Sequence, residues 1–365
     1  MRRVTLATFA VGALSAAGMA SAQTSAVQSF SGGSSVTLFG IADVTYGYGS
    51  GSIASKSQLY SGGNTASRLG FRGVEDLGGG MAAGFWLEAG LNIDDGSTGT
   101  TNTNNQSNGS VGGFNFNRRA TVSLMDFWGE VRAGRDFTAH YRNRTDVDPF
   151  SNNGVGTSQP QAGSIGGPTS TRASNIVAYY LPPNLGGFFG EVEYYYGENG
   201  SPSPIEDDGN GYSGRVGYAN GPFAIALAAG RTKFARTTTN GDIDSANLGV
   251  SWDFKVVKVM GGYYRDKVDK VGELTGTGYL VGAIVPIGFD QIKVSWSTYG
   301  TDAVSDPTAR KWAFGYVYNF SKRTAVYATY ARVNNSGGST AAVNGSITDA
   351  NRNSSGYDLG MKLSF

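Results

Sequence analysis

The side chains with chemistry to offer are charged, and most of them come at even spacings. Arg68 and Arg72 lie four apart in SRLGFRGVED, Arg119 opens RATVSL, and Glu130 and Arg132 occupy alternate positions of FWGEVRAG. Asp43 is the one acid in VTLFGIADVTYGY. A second kind of charged stretch, RDFTAHYRNRTDVDPF over 135–150, has no such rhythm and contributes Asp136, Arg142, Arg144, Asp146 and Asp148. Covalent catalysis is hard to build from this set, because it needs a nucleophile with a base beside it. His140 is the single histidine, it stands between Ala139 and Tyr141 without a nucleophile motif, and there is no cysteine. Thiolate metal sites and disulfides are thereby excluded. The acid pairs Asp207-Asp208 and Asp242/Asp244 read as solvated loop charges, and DLGGG over 76–80 lacks the strand-to-helix setting of a phosphate loop. No cofactor and no metal is expected. Opposed arginines and carboxylates do something else: they set a field across the gap between them.

What positions these charges is alternation. In VTLFGIADVTYGY, Val36, Leu38, Ala42, Val44, Tyr46 and Tyr48 share one face and Thr37, Asp43 and Thr45 the other, with Phe39 and Ile41 as exceptions. The same rhythm sets Leu69 and Phe71 opposite Arg68 and Arg72, Phe85 and Leu87 opposite Trp86 and Glu88, and Val131 and Ala133 opposite Glu130 and Arg132. The chain carries 56 glycines, 20 tyrosines and 19 phenylalanines, yet its mean hydropathy is −0.23. No run after residue 22 approaches the roughly 20 apolar residues of a membrane helix. A transmembrane β-barrel reconciles these facts, because each strand shows apolar side chains to lipid and polar ones to a wet lumen. The arginines must then face the lumen, since a charge on the lipid face near midplane costs on the order of 2 kcal/mol or more. The inward basic set also takes in Lys258, Lys293 and Lys362, and the inward acids include Glu88, Glu191, Glu193 and Asp358.

Short turns such as DLGGG, PPNLGG, ANGP, PIGFD and NFSKR alternate with longer polar loops at 198–211, 231–245, 266–277, 300–310 and 332–355. About seven short turns and eight long loops give about sixteen strands, an even number within the range of outer-membrane barrels. The fold class is therefore all-β, a sixteen-stranded antiparallel transmembrane barrel. The terminal strand GYDLGMKLSF puts Tyr357, Leu359, Met361, Leu363 and Phe365 on one face. Pairing it with the first strand, with Phe365 at the junction, would remove the open edges that a bilayer forbids. Outward aromatics such as Tyr46, Tyr48, Trp252, Trp296, Trp312 and Tyr357 suit interfacial girdles or a subunit contact.

Residues 1–22 read as a cleaved export signal: Arg2 and Arg3, an apolar stretch over 4–17, and the small-residue site Ala20-Ser21-Ala22. A transmembrane anchor is the weaker reading, the apolar stretch being short and rich in Ala and Gly. Removing those two arginines from 29 basic residues against 28 acidic ones leaves a balance of about −1, which argues against a nucleic-acid partner. Residues 23–365 form the barrel.

The sequence resembles the Gram-negative general diffusion porins of the sixteen-stranded, trimeric type, in the neisserial and β-proteobacterial branch. The resemblance spans the mature chain and is carried by SSVTLFGIADVTYGYG, SRLGFRGVEDLGGGMAAGFWLEAGLNID, RRATVSLMDFWGEVRAGRDF with VDPF, SNIVAYYLPPNLGGF, NFSKRTAVYATYAR and the terminal Phe365. It implies a water-filled channel for small hydrophilic solutes and ions, in an outer-membrane homotrimer, with short periplasmic turns, long extracellular loops and a third loop folded inward. Residues 136–174 occupy the third loop's place, with DFTAHYRNR where a proline-bearing stretch is commoner. The expected constriction sets Arg68, Arg72, Arg119 and Arg132 as a basic wall against Asp43, Glu130 and the loop charges Asp136, Arg142, Arg144, Asp146 and Asp148. Asp146 and Asp148 are the expected loop side, and a weak preference for anions follows. Lipid, lipopolysaccharide and the assembly machinery that engages the last strand are the implied partners. A substrate-specific channel, with Trp86 and Tyr195 pointing inward, and a barrel hydrolase using His140 are the alternatives.

Overall fold

The computed structural model describes residues 34–106 and 113–365, and strands dominate it. One antiparallel sheet contains β1 Ser35–Ser50, β2 Lys56–Ser61, β3 Arg68–Gly78, β4 Met81–Gly90, β5 Arg119–Asp126, β6 Gly129–Phe137, β7 Arg172–Tyr180 and β8 Phe188–Tyr195. It continues through β9 Gly211–Asn220, β10 Phe223–Thr232, β11 Asp242–Asp253, β12 Lys258–Asp269, β13 Leu274–Ile287 and β14 Asp290–Thr301, and ends with β15 Thr308–Asn319, β16 Thr324–Ser336 and β17 Ser354–Ser364. β2 and β3 both pair with β1, over 44–49 and 35–41 respectively. They are halves of one wall strand, so the barrel has sixteen strands. The expected export signal at residues 1–22 lies outside the described residues.

Closure is made by β17 on β1, from Ile41 opposite Ser364 to Ser50 opposite Ser355. Phe365 extends the seam: its N–H and carbonyl exchange two 3.0 Å bonds with Gly40. A Cβ on Gly40 would fall 2.2 Å from the Phe365 ring, so glycine there lets the terminal aromatic lie flat on the outer wall. Tyr46 and Tyr48 meet Tyr357 across the same seam on the outward face, at 6.3 and 5.5 Å.

Alternation is correct in its facing and short in its extent. The expected loops at 231–245, 266–277, 300–310 and 332–355 give up their ends to the ladder, 266–277 most of it, since β10 runs to Thr232, β11 starts at Asp242, β12 ends at Asp269, β13 starts at Leu274 and β16 runs to Ser336. Beyond the hydrocarbon both faces of a strand meet water. Its composition turns polar there although its backbone bonds continue.

The stretch 62–67 between β2 and β3 folds into the lumen. Asp43 holds it: its carboxylate accepts from the N–H groups of Asn64 at 3.2 Å and Thr65 at 2.8 Å and from the Tyr327 hydroxyl. Asp43 is fully buried as a result.

Candidate functional site

The long connection leaves β6 at Phe137 and rejoins the wall at Arg172. It is therefore shorter than the expected 136–174, because Asp136 and Phe137 complete one strand and 172–174 begin the next. It starts with helix α1, Ala139–Asp146, whose sequence AHYRNRTD has no apolar stripe. The helix still has two sides. His140, Asn143 and Arg144 are buried against the wall, while Tyr141, Arg142, Thr145 and Asp146 border open lumen. This is the 3.6-residue period of a helix written in polar residues. The surface it packs on is itself polar, since it is the lumen face of β8 to β12.

The wall contacts are specific. Asn143 Nδ2 donates to the Ala226 carbonyl at 3.0 Å and to Asn247 Oδ1 at 2.7 Å. Arg144 Nη2 donates to Asp266 Oδ1 at 3.2 Å, and both side chains are sealed from solvent. Asp266 also accepts from Ser245 Oγ at 2.9 Å, Ser164 Oγ at 2.8 Å and the Tyr299 hydroxyl at 2.9 Å. One carboxylate thus ties the outgoing limb, the returning limb and the wall together.

Past α1 the loop lies on bare backbone. A Cβ on Gly249, Gly282 or Gly315 would approach Val147, Pro149 and the Phe150 ring to 2.8, 2.4 and 2.9 Å. These inward-facing glycines of β11, β13 and β15 leave the groove that the loop fills. At the far tip, Val155 N–H donates to Asp358 Oδ2 at 2.6 Å and Lys311 Nζ to the Thr157 carbonyl at 2.8 Å. Helix α2, Gln159–Ala162, starts the return.

Between the loop and the opposite wall remains an opening of about 600 Å³. The wall side presents Asn64, Thr65, Arg68, Arg118, Arg172, Lys293 and Lys362, and the loop side Tyr141, Arg142, Thr145, Asp146 and Asn152. Arg68 and Arg118 share one carboxylate, Glu88 Oε1, at 3.4 and 2.5 Å. Arg172 stacks on the Phe137 ring at 4.2 Å, and that ring stacks on Tyr141 at 4.9 Å. Lys293 Nζ donates to Asn64 Oδ1 at 3.1 Å. Positive groups outnumber Asp146, the one acid bordering this opening among the described residues, and Asp146 is itself bound to Arg215.

Of the expected basic wall, Arg68 borders the opening. Arg72 is exposed elsewhere on the lumen face, between Phe39 and Trp86 at 5.7 and 5.2 Å. Arg119 lies over Trp86 at 4.5 Å and reaches Asp136 at 3.4 Å. Arg132 is buried, bonded to Glu130 at 2.8 Å, Asp136 at 2.8 Å and the Tyr180 hydroxyl at 2.9 Å. Of the expected acids, Asp146 borders the opening and Asp43, Glu130, Asp136 and Asp148 do not. Asp43 holds the 62–67 fold, and Glu130 accepts from Arg132 and from Ser123 Oγ at 2.6 Å. Asp136 sits among Arg119, Arg132 and Arg142, the last at 2.8 Å. Asp148 turns into its own loop, accepting from Phe150 N–H at 2.7 Å and Ser158 N–H at 3.3 Å, and burial pushes its carboxyl up. Arg144 points to the wall. The physical reason is common to all of these: a carboxylate next to backbone donors or arginines is used up by them before it can line water.

Sequence reasoning missed Arg118, Arg172 and the 62–67 fold. Arg118 precedes the first paired residue of β5 and Arg172 is the first of β7, so alternation gave neither a facing. The inward aromatics fill wall: Trp86 lies under Arg72 and Arg119, and the Tyr195 hydroxyl bonds Thr232 Oγ1 at 2.8 Å.

His140 does meet a hydroxyl, with Nδ1 3.2 Å from Ser213 Oγ and Nε2 3.2 Å from Thr138 Oγ1. Both are sealed between α1 and the wall, where no carbonyl of a substrate can reach. Burial holds the imidazole down at about 4, with Arg144 adding to the effect, so it is neutral near pH 7.

Residues 7–338 match the model of the Gram-negative porin family. The chain is 37% identical over 340 residues to outer membrane porin protein 32 of Delftia acidovorans, covering 91% of this chain and 90% of that one. It is 24% identical over 294 residues to the major outer membrane protein P.IB of Neisseria gonorrhoeae, covering 71% and 75%. A solved anion-selective porin from Comamonas acidovorans superimposes with a TM-score of 0.81 at 35% identity, covering 91% of this chain and all of its own. A closed barrel with a charge-lined opening, and with His140 sealed from it, fits these relatives, which are channels and not enzymes. The chain belongs to the Gram-negative porin family and its place is the outer membrane.

Proposed function

We propose that this porin passes small hydrophilic solutes by diffusion with a preference for anions, set where the 138–171 loop narrows the lumen. The observation that carries the reading is the sign of the lining: Arg68, Arg118, Arg142, Arg172, Lys293 and Lys362 against Asp146. A passing anion exchanges part of its hydration for these donors, while a cation meets a lining in which like charge is in excess, although Glu88, Asp136 and Glu191 behind it pair with Arg68, Arg118 and Arg142. The likeness to a porin described as anion-selective points the same way. Because the opening is wet, the preference is screened by salt, over about 8 Å at physiological strength and about 3 Å at 1 M. The test is the reversal potential of the reconstituted channel across a planar bilayer under a potassium chloride gradient. A potential of the anion-preferring sign that shrinks as total salt rises is expected. A cation-preferring sign overturns the reading.

The channel is further proposed to act as a homotrimer, exported with cleavage after Ala22 and inserted by machinery that engages the last strand and Phe365. N-terminal sequencing of the purified protein, and its mass under native conditions, check the first two.

A further inference from the structure

Most tyrosines of the lumen face are spent on the wall. The hydroxyls of Tyr60, Tyr180, Tyr195, Tyr299 and Tyr327 each bond a carboxylate, an arginine or a hydroxyl of another strand. Tyr141 differs. It stands on the lumen side of α1, half-buried at the border of the opening, and its hydroxyl makes no hydrogen bond among the described residues.

A stack holds its ring in place. Tyr141 lies on the Phe137 ring at 4.9 Å and 26° from parallel, and the Arg172 guanidinium lies on that same ring at 4.2 Å. Phe137, Tyr141 and Arg172 all border the opening. Arg172 is tethered by one hydrogen bond, from Nε to the Arg118 carbonyl at 2.9 Å, and has no ion pair among the described residues. Its Nη1 and Nη2 donors are therefore uncommitted. The hydroxyl end of Tyr141 lies within electrostatic reach of both Arg172 and Arg68.

These groups select an occupant. A guanidinium fork takes a carboxylate in two parallel bonds. A phenol face takes a flat ring in offset stacking. Arg172 and Tyr141 rest on one intervening ring, so they are no further apart than 4.2 and 4.9 Å laid end to end. A carboxylate carrying one ring bridges that gap, whereas acetate or chloride reaches the fork alone. A conducting site must also hold its ion firmly enough to admit it and loosely enough to release it. One fork and one open ring face make a shallow station of that kind. We propose that the opening favours small aromatic carboxylates over aliphatic anions of equal charge and size, with the carboxylate on Arg172 and the ring on Tyr141. This deepens the anion-preferring reading of the opening and rests on it.

The test is block of the chloride current through the full-length channel in a planar bilayer by benzoate and by cyclohexanecarboxylate, which share charge and ring size and differ in the flat π-face. Benzoate should act at a concentration about two- to tenfold lower, the worth of one aromatic pair. Tyr141→Phe should keep that ratio and Tyr141→Leu should bring it near unity, and a ratio taken within each variant cancels any change of bore. Arg172→Lys keeps the charge without the fork and should weaken benzoate block several-fold, whether or not Tyr141→Leu inserts. Equal potency of the two acids in the parent overturns the proposal, as does a ratio that survives Tyr141→Leu or a benzoate block untouched by Arg172→Lys. Benzyl alcohol blocking as well as benzoate overturns the part given to the carboxylate. Reversal potential in potassium chloride, measured on the same channels before either acid is added, reports the underlying preference. An anion-preferring channel that treats the two acids alike refutes the aromatic class alone, and a cation-preferring one refutes the reading beneath it.

Discussion

Asp266 is the joint on which the inserted loop depends most, and replacing it tests whether that loop sets the channel. In Asp266→Ala four hydrogen bonds disappear, from Arg144, Ser245, Ser164 and Tyr299. The guanidinium of Arg144 keeps the Pro160 carbonyl at 3.1 Å and Gln161 Oε1 at 3.3 Å but has no counter-charge. Removing one partner of a buried pair costs about 3–5 kcal/mol. The lumen is hydrated, so water re-solvates part of the orphaned group and the low end applies, about 3 kcal/mol. At 1.4 kcal/mol per tenfold, undocking of the α1 segment becomes about a hundredfold more frequent. The barrel should persist, because its ladder does not pass through Asp266's carboxylate. Single-channel recording is the assay: the parent should give steady openings, and the variant frequent excursions to higher conductance with weaker selectivity. Asp266→Asn, which keeps an acceptor for the hydroxyls but no charge, should fall between. Steady parent-like records from Asp266→Ala would mean that the loop does not limit the current.

Charge reversal at the opening should act in proportion to exposure. Lys293→Glu with Lys362→Glu is expected to move the reversal potential toward cations, whereas Asp148→Asn, buried in its own loop, should leave it unchanged. Gly282→Ala places a methyl 2.4 Å from Pro149, an overpacking of about 1–3 kcal/mol that should push the loop into the lumen and lower conductance. Gly214→Ala, whose nearest neighbour is 3.5 Å away, serves as the comparison and should not. His140 has a folded value of about 4 against 6.5 when free, so the unfolded chain binds the extra proton between these limits. Its contribution to stability is full above pH 6.5 and is lost progressively as pH falls toward 4, by about 3 kcal/mol. Thermal unfolding of His140→Gln measured from pH 7 to 4.5 should fall less steeply than the parent, and parallel curves would contradict the assignment.

How far the sequence could be read follows from where water is. Along the spanning part of each strand one face meets lipid and the other meets water, so alternation is imposed by solvent and the facings of Arg68, Arg72, Glu88 and Arg132 could be read directly. Inside the barrel that contrast disappears. AHYRNRTD is polar on both sides because the wall it packs against is polar, and only the contacts of His140, Asn143 and Arg144 distinguish its wall side from Tyr141, Arg142, Thr145 and Asp146. Wall and loop are instead matched by glycine and by bonded carboxylates, signals that lie in pairs of distant residues such as Pro149 with Gly282, or Val155 with Asp358. The same logic explains why the acids picked as channel lining are spent on structure. An insertion without an apolar face must be held by polar bonds, so Asp43, Asp136, Asp148, Asp266 and Asp358 hold backbone and arginines in place. What is left over to face the water is the surplus of positive charge, which links the way this loop is anchored to the sign of ion the opening is proposed to prefer.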